Sequence, residues 1–467
     1  MSAETFSDHL IQKFPYTPTP QQVNMMKSLA EFTFSEDKCF IVSGYAGTGK
    51  TSVIGHLIKS LSQVKKNAVL LAPTGRAAKV LSSYSGVQAS TIHKKIYSVQ
   101  KTKAGNVIFV RNVNKHKNTL FIVDEASMIS NEMEFGKKSV LGDLMEYVFA
   151  GPQCKLIFIG DNAQLPPVGS DQSAALDEKF LENDFDITCR KEILKEVVRQ
   201  AQLSGILHNA TLLRNMQEKE QKGTPTFVTK GFNDIYRMTG EKLEDGLHYA
   251  YAKYGIEETV VLCRSNKQAN QYNQNIRRRI LYKEEELSAG DLLLVVKNNY
   301  FWLPETSEAG FLANGDILEV QRVKGDEEKH GFRFATISVR HTDYENAAVF
   351  DCKILLDVIT VESASLSGEE IQQLFEKVML EYEDEPDMKK RRELVRKDPY
   401  YNALQVKFAY AFTCHKAQGG QWKAVFIDQG YLKEEMIDNQ YYRWLYTAFT
   451  RASKELFLVN FAPVFFN

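Results

Sequence analysis

Between residues 38 and 170 four short β-rich apolar runs, Cys39 to Val42, Ala68 to Ala72, Thr119 to Val123 and Lys155 to Ile159, alternate with longer stretches of helical periodicity. Such alternation predicts a parallel sheet with crossover helices, an α/β arrangement. Each run is followed at once by a polar or Gly-rich segment, and an open α/β sheet binds its ligand at the carboxyl ends of its strands. A second set of runs, Thr259 to Cys263, Ala409 to Thr413, Ala424 to Asp428 and Leu456 to Asn460, predicts a second sheet of the same kind. Between the sets the pattern changes. Leu292 to Val296, Ile317 to Val320 and Ala335 to Val339 are short runs separated by Gly and Asn turns such as Ala313-Asn314-Gly315-Asp316, the mark of a small all-β insertion, read as a barrel. Residues 366 to 398 favour helix and are highly charged, which suits a projecting helical element.

With 467 residues, 43% of them hydrophobic, the chain exceeds one ordinary core. No stretch approaches the ~20 apolar residues of a membrane-spanning helix, and Met1-Ser2-Ala3-Glu4 does not open a signal peptide, so no membrane association and a cytoplasmic setting are expected. The 6 cysteines are scattered without C-x-x-C spacing and read as reduced core residues. A net charge of −1 gives no whole-molecule attraction to nucleic acid, although a local basic groove is enough to bind phosphates. Basic clusters at Lys94-Lys95, Arg111 to Lys117, Arg277-Arg278-Arg279 and Lys389 to Arg392 stay open between such a groove and solvated faces.

Gly44-Tyr45-Ala46-Gly47-Thr48-Gly49-Lys50-Thr51 is a complete G-x-x-x-x-G-K-[ST] phosphate loop, directly after the first apolar run and ahead of a helical pattern that starts near Thr51, with Ser52 also expected at the nucleotide. Its glycines permit a tight turn whose N–H groups wrap phosphates, Lys50 would reach the β- and γ-phosphates, and Thr51 would ligate Mg²⁺. Asp124-Glu125 closes the third run with two carboxylates, where Asp124 would hold Mg²⁺ through water and Glu125 would activate the attacking water. Gln164 follows the fourth run in position to sense the γ-phosphate. Arg199 and Arg451 are candidates for the positive charge that a triphosphatase needs at its transition state, and either alone could be an ordinary surface cation.

In order along the chain, the phosphate loop, Ala72-Pro73-Thr74-Gly75-Arg76-Ala77-Ala78, Ser90-Thr91-Ile92-His93, Asp124 to Met128, Gly160 to Pro167, Arg199-Gln200, Thr413 to Gly419 and Tyr446 to Arg451 resemble the superfamily 1B DNA helicases of the RecD and Dda type, the Pif-related group. The resemblance runs from about residue 17 to 460. It implies two RecA-like motor domains, at 1–180 and at 181–287 with 400–467, a β-hairpin pin at about 97–117 and an SH3-like β-barrel insertion with its helical element at 288–399. It also implies ATP and Mg²⁺ as ligands, Gln22 reading adenine, Gly419 at the nucleotide, and Pro73, Thr74, Thr91, His93, Thr413 and His415 touching the DNA strand. His93 and His415 remain open as satisfied interior groups, and Phe109 as either a wedge at the duplex junction or plain hairpin packing.

The activity implied is a 5′-to-3′ ATP-dependent DNA helicase that works as a monomer on single-stranded DNA and fork junctions, with single-stranded DNA-binding protein as a further partner and a bacterial or viral, nucleoid-associated setting. An RNA helicase and a non-unwinding ATP switch on DNA stay open as alternatives. A nucleotide-binding kinase fits worst, because it needs neither the second motor nor the Thr413 to Gly419 block.

Overall fold

The computed structural model describes residues 1–101, 107–134, 138–167, 169–198, 203–303, 307, 311–344 and 347–466. The first sheet is six-stranded and wholly parallel, in the order Cys189–Leu194, Cys39–Gly44, Lys155–Gly160, Thr119–Val123, Asn67–Ala72, Ala89–Thr91. Its central strands Cys39–Gly44, Lys155–Gly160 and Thr119–Val123 are buried throughout and mostly apolar because both faces are covered. Phe40, Val42, Ile122 and Ile157 pack on one side with Val53, Ile54 and Leu57 of the helix Lys50–Ser60. Ile41, Phe121, Val123 and Phe158 pack on the other with Leu141, Leu144 and Val148 of the helix Val140–Phe149.

A second parallel sheet runs Ile235–Met238, Ala452–Val459, Trp422–Asp428, Thr259–Cys263, Ala411–Thr413. The third is antiparallel, in the order Phe350–Leu355, Phe332–His341, Ile317–Lys329, Leu292–Val295, Val406–Phe408. Its two outer strands approach through Leu404, whose N–H donates to Lys353 O (2.8 Å) and whose carbonyl accepts from Leu355 N (2.9 Å), so the sheet curls toward closure. The helices Gly368–Leu380 and Met388–Arg396 lie on this sheet through Leu374, Val378 and Val395, which pack with Phe334 and Leu355.

Two expected boundaries need correction. Cys189–Leu194 lies past residue 180 yet is an edge strand of the first sheet, and Val406–Phe408 lies past residue 399 yet belongs to the antiparallel sheet. Both are short strands with no Gly- or Pro-rich break to betray a change of partner. All 6 cysteines are buried and unpaired. Among the described residues no helix is long and apolar enough to cross a membrane.

Tyr97–Lys101 and Val107–Arg111 pair antiparallel as a hairpin, anchored at its base where the Tyr97 hydroxyl donates to Asp143 Oδ2 (2.7 Å) and Arg111 pairs with Asp143 (3.4 Å). The expected turn at Gly105-Asn106 and the side chain of Phe109 lie outside the described residues.

Candidate functional site

The loop after Cys39–Gly44 turns through two left-handed glycines, Gly47 (φ 75°) and Gly49 (φ 81°), into the helix Lys50–Ser60. Gly49 is the N-cap and supplies no side chain, so the first N–H groups of the helix are left for an anion. A Cβ on Gly49 would stand 2.3 Å from Gln22 Nε2, which itself donates to Thr48 O (3.0 Å). Gln22 also closes a capping box with Thr19 at the start of the helix Pro20–Phe34. Its amide thus braces the phosphate loop. The adjacent Gln21 accepts from Lys195 N (2.7 Å) and Glu196 N (3.0 Å), a link to the edge strand that the sequence did not suggest.

A cavity of about 400 Å³ opens above this loop, lined by Ala46, Gly47, Gly49, Lys50, Thr51, Tyr84, Asp124, Glu125, Gln164 and, from the second sheet's side, Thr450 and Arg451. Lys50 Nζ donates to Gly44 O (2.5 Å) and Tyr45 O (2.9 Å), folded onto the loop. Asp124 is held by the Tyr84 hydroxyl (2.7 Å) and by Glu125 N–H (2.8 Å), and burial beside Glu125 raises its pKa to about 6. Glu125 sits at φ 52°, a left-handed conformation rare outside glycine, and strain of this kind concentrates at working sites. The hard oxygens of Thr51 and Asp124 suit Mg²⁺. Because both Asp124 oxygens already accept hydrogen bonds, the carboxylate suits a contact through water.

Arg451 is 2% exposed and donates to Thr447 O (3.1 Å) and Gly420 O (3.2 Å), with Nη1 3.9 Å from Glu125 Oε1. The helix Asn439–Phe449 that precedes it also supplies Tyr446, whose hydroxyl accepts from Ala46 N–H (2.9 Å) and donates to Asp161 Oδ2 (2.6 Å). Thr447 Oγ1 accepts from Leu165 N–H (2.8 Å), and Gln418 Nε2 donates to Leu165 O (2.6 Å). The segment carrying Gln164 is thus clamped by the second unit. Gln164 itself is 7% exposed, with Oε1 unpartnered among the described residues. Tyr446, Asp161 and Tyr84 had no role in the sequence reading. Asp161 could have been found from its place just past a strand end. Arg199 lies outside the described residues.

A second cavity, of about 670 Å³, runs between the two parallel-sheet units and the antiparallel sheet. It brings together Thr74, Thr413 and His415 with Arg76, Arg264, Lys416, Trp422 and Asn314. Arg76 crosses the interface, its guanidinium 4.0 Å over the Trp422 ring and Nη2 donating to Gln421 O (3.0 Å). Burial lowers the Lys416 pKa to about 8.

Six expected residues stand elsewhere. Gly419 (φ 74°) is in the lining of neither cavity and packs against Thr74, whose Oγ1 a Cβ there would meet at 2.9 Å. Thr91 caps the helix Ile92–Ile96 by accepting from Lys94 N, and the His93 ring packs near Tyr97 (5.7 Å) and Phe311 (6.1 Å). Ser52, inside the helix, does not line the nucleotide cavity, and Thr48 contributes its backbone while its hydroxyl donates to Tyr45 O (2.8 Å). Pro73 leads the strand Asn67–Ala72 into Thr74, which caps the helix Gly75–Ser85.

Residues 17–225 match a family model described as an AAA domain, and residues 408–459 match one described as a UvrD-like helicase C-terminal domain. An uncharacterized protein of Acanthamoeba polyphaga mimivirus is 25% identical over 94% of this chain and 98% of its own length. The ATP-dependent DNA helicase Dda of Enterobacteria phage T4 is 29% identical, with 54% of this chain aligned to 55% of that protein. Among solved structures, a Bacteroides Pif1 helicase is 16% identical with a TM-score of 0.49, over 95% of this chain and 92% of that one. By its nucleotide cleft, its motif order and these sequence matches, the chain is similar to helicases that carry an AAA domain and a UvrD-like C-terminal domain, Dda of phage T4 among them.

Proposed function

We infer that this chain is an ATP-dependent DNA helicase that moves 5′-to-3′ on single-stranded DNA and unwinds the duplex ahead of it. The observation that carries the reading is the approach of Arg451 to Glu125 across a cleft floored by a complete phosphate loop. A nucleotide-dependent motor needs its transition-state cation to come from the moving partner, so that closure and hydrolysis are one event.

Lys50 would leave Gly44 O and Tyr45 O for the β- and γ-phosphates. Mg²⁺, held by Thr51 and through water by Asp124, supplies charge neutralisation when bound. Glu125 takes the proton of the attacking water as its oxygen bonds to the γ-phosphorus and the bridging bond to ADP breaks. Arg451, and Arg199 in the same proposal, would stabilise the charge of that transition state. Gln164, whose neighbour Leu165 is held by Thr447 and Gln418, would carry loss of the γ-phosphate into the second unit.

The basic groove lined by Thr74, Thr413 and His415 would take the strand, the antiparallel sheet acting as an accessory wall and the Tyr97–Arg111 hairpin as the pin. Opening one base-pair step costs on the order of 1.4 kcal/mol of stacking, small against one hydrolysis. Action as a monomer at fork junctions, cooperation with single-stranded DNA-binding protein and a place on the nucleoid belong to the same proposal.

The test is ATP-driven displacement from two matched duplexes, one with a 5′ and one with a 3′ single-stranded tail. Displacement from the 5′-tailed duplex alone is expected. Displacement from the 3′-tailed duplex alone overturns the polarity, and none from either, with DNA-stimulated ATPase intact, makes the chain a remodelling switch.

A further inference from the structure

Behind Gln164 lies a separate cavity of about 290 Å³, walled by Ser127, Asp161, Asn162, Gln164, Pro166, Ser173, Asp177, Lys191 and Arg443. Asp161 and Gln164 also line the nucleotide cleft, so these two side chains form the partition between the chambers. Three polar atoms on its wall make no hydrogen bond among the described residues: Ser127 Oγ, Gln164 Oε1 and Arg443 Nε. Ser127 is 2% exposed and Gln164 is 7% exposed. Buried polar atoms are normally satisfied, and a polar chamber of this size holds water or a small polar solute. The Lys191 ammonium donates to Leu176 O (2.8 Å) and Arg443 to Asp171 O (3.0 Å), leaving both cations with further donors.

We propose that this chamber is the exit for inorganic phosphate, entered past Gln164 once the bond to ADP has broken. The proposal rests on the helicase reading above. ADP would hold the mouth of the cleft through the phosphate loop while the cleaved phosphate, sitting deepest, faces the partition. Ser127, Lys191 and Arg443 offer the departing anion hydrogen bonds as it sheds its place on Lys50, and Asp161 and Asp177 on the same walls keep it from lodging. Arg443 shares the helix Asn439–Phe449 with Tyr446, three residues before it, so motion of the second unit would widen the chamber as the clamp on the first relaxes. Phosphate departure and the motor stroke would then be one movement.

The experiment compares chemistry with release in the full chain on single-stranded DNA. Quench-flow reads ATP cleavage, a fluorescent phosphate sensor reads free phosphate, and a fluorescent ADP reads the other product. Lys191→Gln and Arg443→Gln are expected to leave the cleavage burst in place and to lengthen the lag before free phosphate about five- to ten-fold, with ADP departure unmoved and Arg443→Lys restoring most of the rate. Unchanged or faster phosphate release in both variants, with the burst intact, overturns the exit. A lag that lengthens together with ADP departure also overturns it, because that is a loosened interface and not a route. Absence of any DNA-stimulated cleavage in the unaltered chain is a different failure, that of the helicase reading itself.

Discussion

The nucleotide cleft and the strand groove lie on the same interface between the same two parallel sheets, yet they are built on opposite plans. In the cleft the two sides are locked by inter-unit hydrogen bonds: Tyr446 to Ala46 and Asp161, Thr447 and Gln418 to Leu165. In the groove the lining comes from three units, and Arg76 ties two of them by stacking on Trp422 and bonding Gln421. A site that must stabilise a transition state gains from fixed geometry, since reorganisation at the moment of reaction costs rate. A site that must grip and release a polymer in every cycle gains from being made of parts that can separate. Damage to the cleft should therefore appear as lost chemistry, and damage to the groove as graded loss of affinity.

Arg451→Ala is the sharpest way to break the comparison. A positive finger contributes about 10³–10⁵-fold to such reactions, so the DNA-stimulated ATPase rate should collapse by that order while ATP affinity changes little. Rate measurements at saturating ATP check this, and a fall confined to KM would make Arg451 a binding group. Arg451→Lys should rescue poorly, because Arg451 holds Thr447 O and Gly420 O with separate arms of its guanidinium.

Next in size is Glu125→Gln, which keeps shape and loses the base. General-base catalysis contributes roughly 10²–10⁴-fold, so hydrolysis should fall by that factor with nucleotide binding retained. Equilibrium binding of a fluorescent ATP analogue, together with steady-state turnover, decides it. Equal loss of both would mean that the left-handed backbone at Glu125 shapes the loop and that the carboxylate is incidental.

Tyr446→Phe should be milder and of another kind. It deletes one hydroxyl that accepts from the partly buried Ala46 N–H and donates to the buried Asp161, which is left short of a partner at about 1–3 kcal/mol. A melting temperature lower by several degrees and a weaker coupling of ATPase to DNA are expected. A variant with wild-type melting and wild-type DNA stimulation would show that Thr447 and Gln418 hold the interface without it.

Why these residues were unequally visible in the chain is a matter of range. The phosphate loop, Asp124-Glu125 and Gln164 follow strand ends, where local pattern and position in the sheet coincide, so sequence spacing alone located them. Domain limits were missed at Cys189–Leu194 and Val406–Phe408, because which sheet an isolated short strand joins is decided by long-range pairing. Tyr446 lay inside a quoted motif without a role, since its partners Ala46 and Asp161 are hundreds of residues away. Thr91 and Gln22 show the converse, side chains whose capping of a helix is local and can be read from the sequence around them. The motif puts Gly419 at the nucleotide, whereas its packing against Thr74 is a long-range contact that no local spacing reveals.

The smallest expected effect belongs to the groove, and it is the one whose sign distinguishes binding from folding. Lys416 lines the groove and is held near a pKa of about 8 by burial, far below the ~10.4 of a free lysine. Below about pH 8 it is charged and can meet a phosphate; as pH rises through 8 the charge is lost and strand affinity should fall. The loss amounts to one phosphate contact, so affinity should drop about ten-fold at most and the salt slope should shrink by about 0.7. Folding stability should move the other way. The folded chain binds fewer protons than the unfolded one between about pH 8 and 10.4, so this group makes stability rise across that window. Fluorescence anisotropy of a labelled single strand at several salt concentrations, from pH 7 to 9.5, reads the first effect, and chemical denaturation reads the second. Lys416→Arg should flatten the affinity profile, because a guanidinium keeps its charge throughout. An affinity that holds steady to pH 9.5 in the unaltered chain would remove Lys416 from the strand's path and leave the groove's positive charge to Arg76 and Arg264.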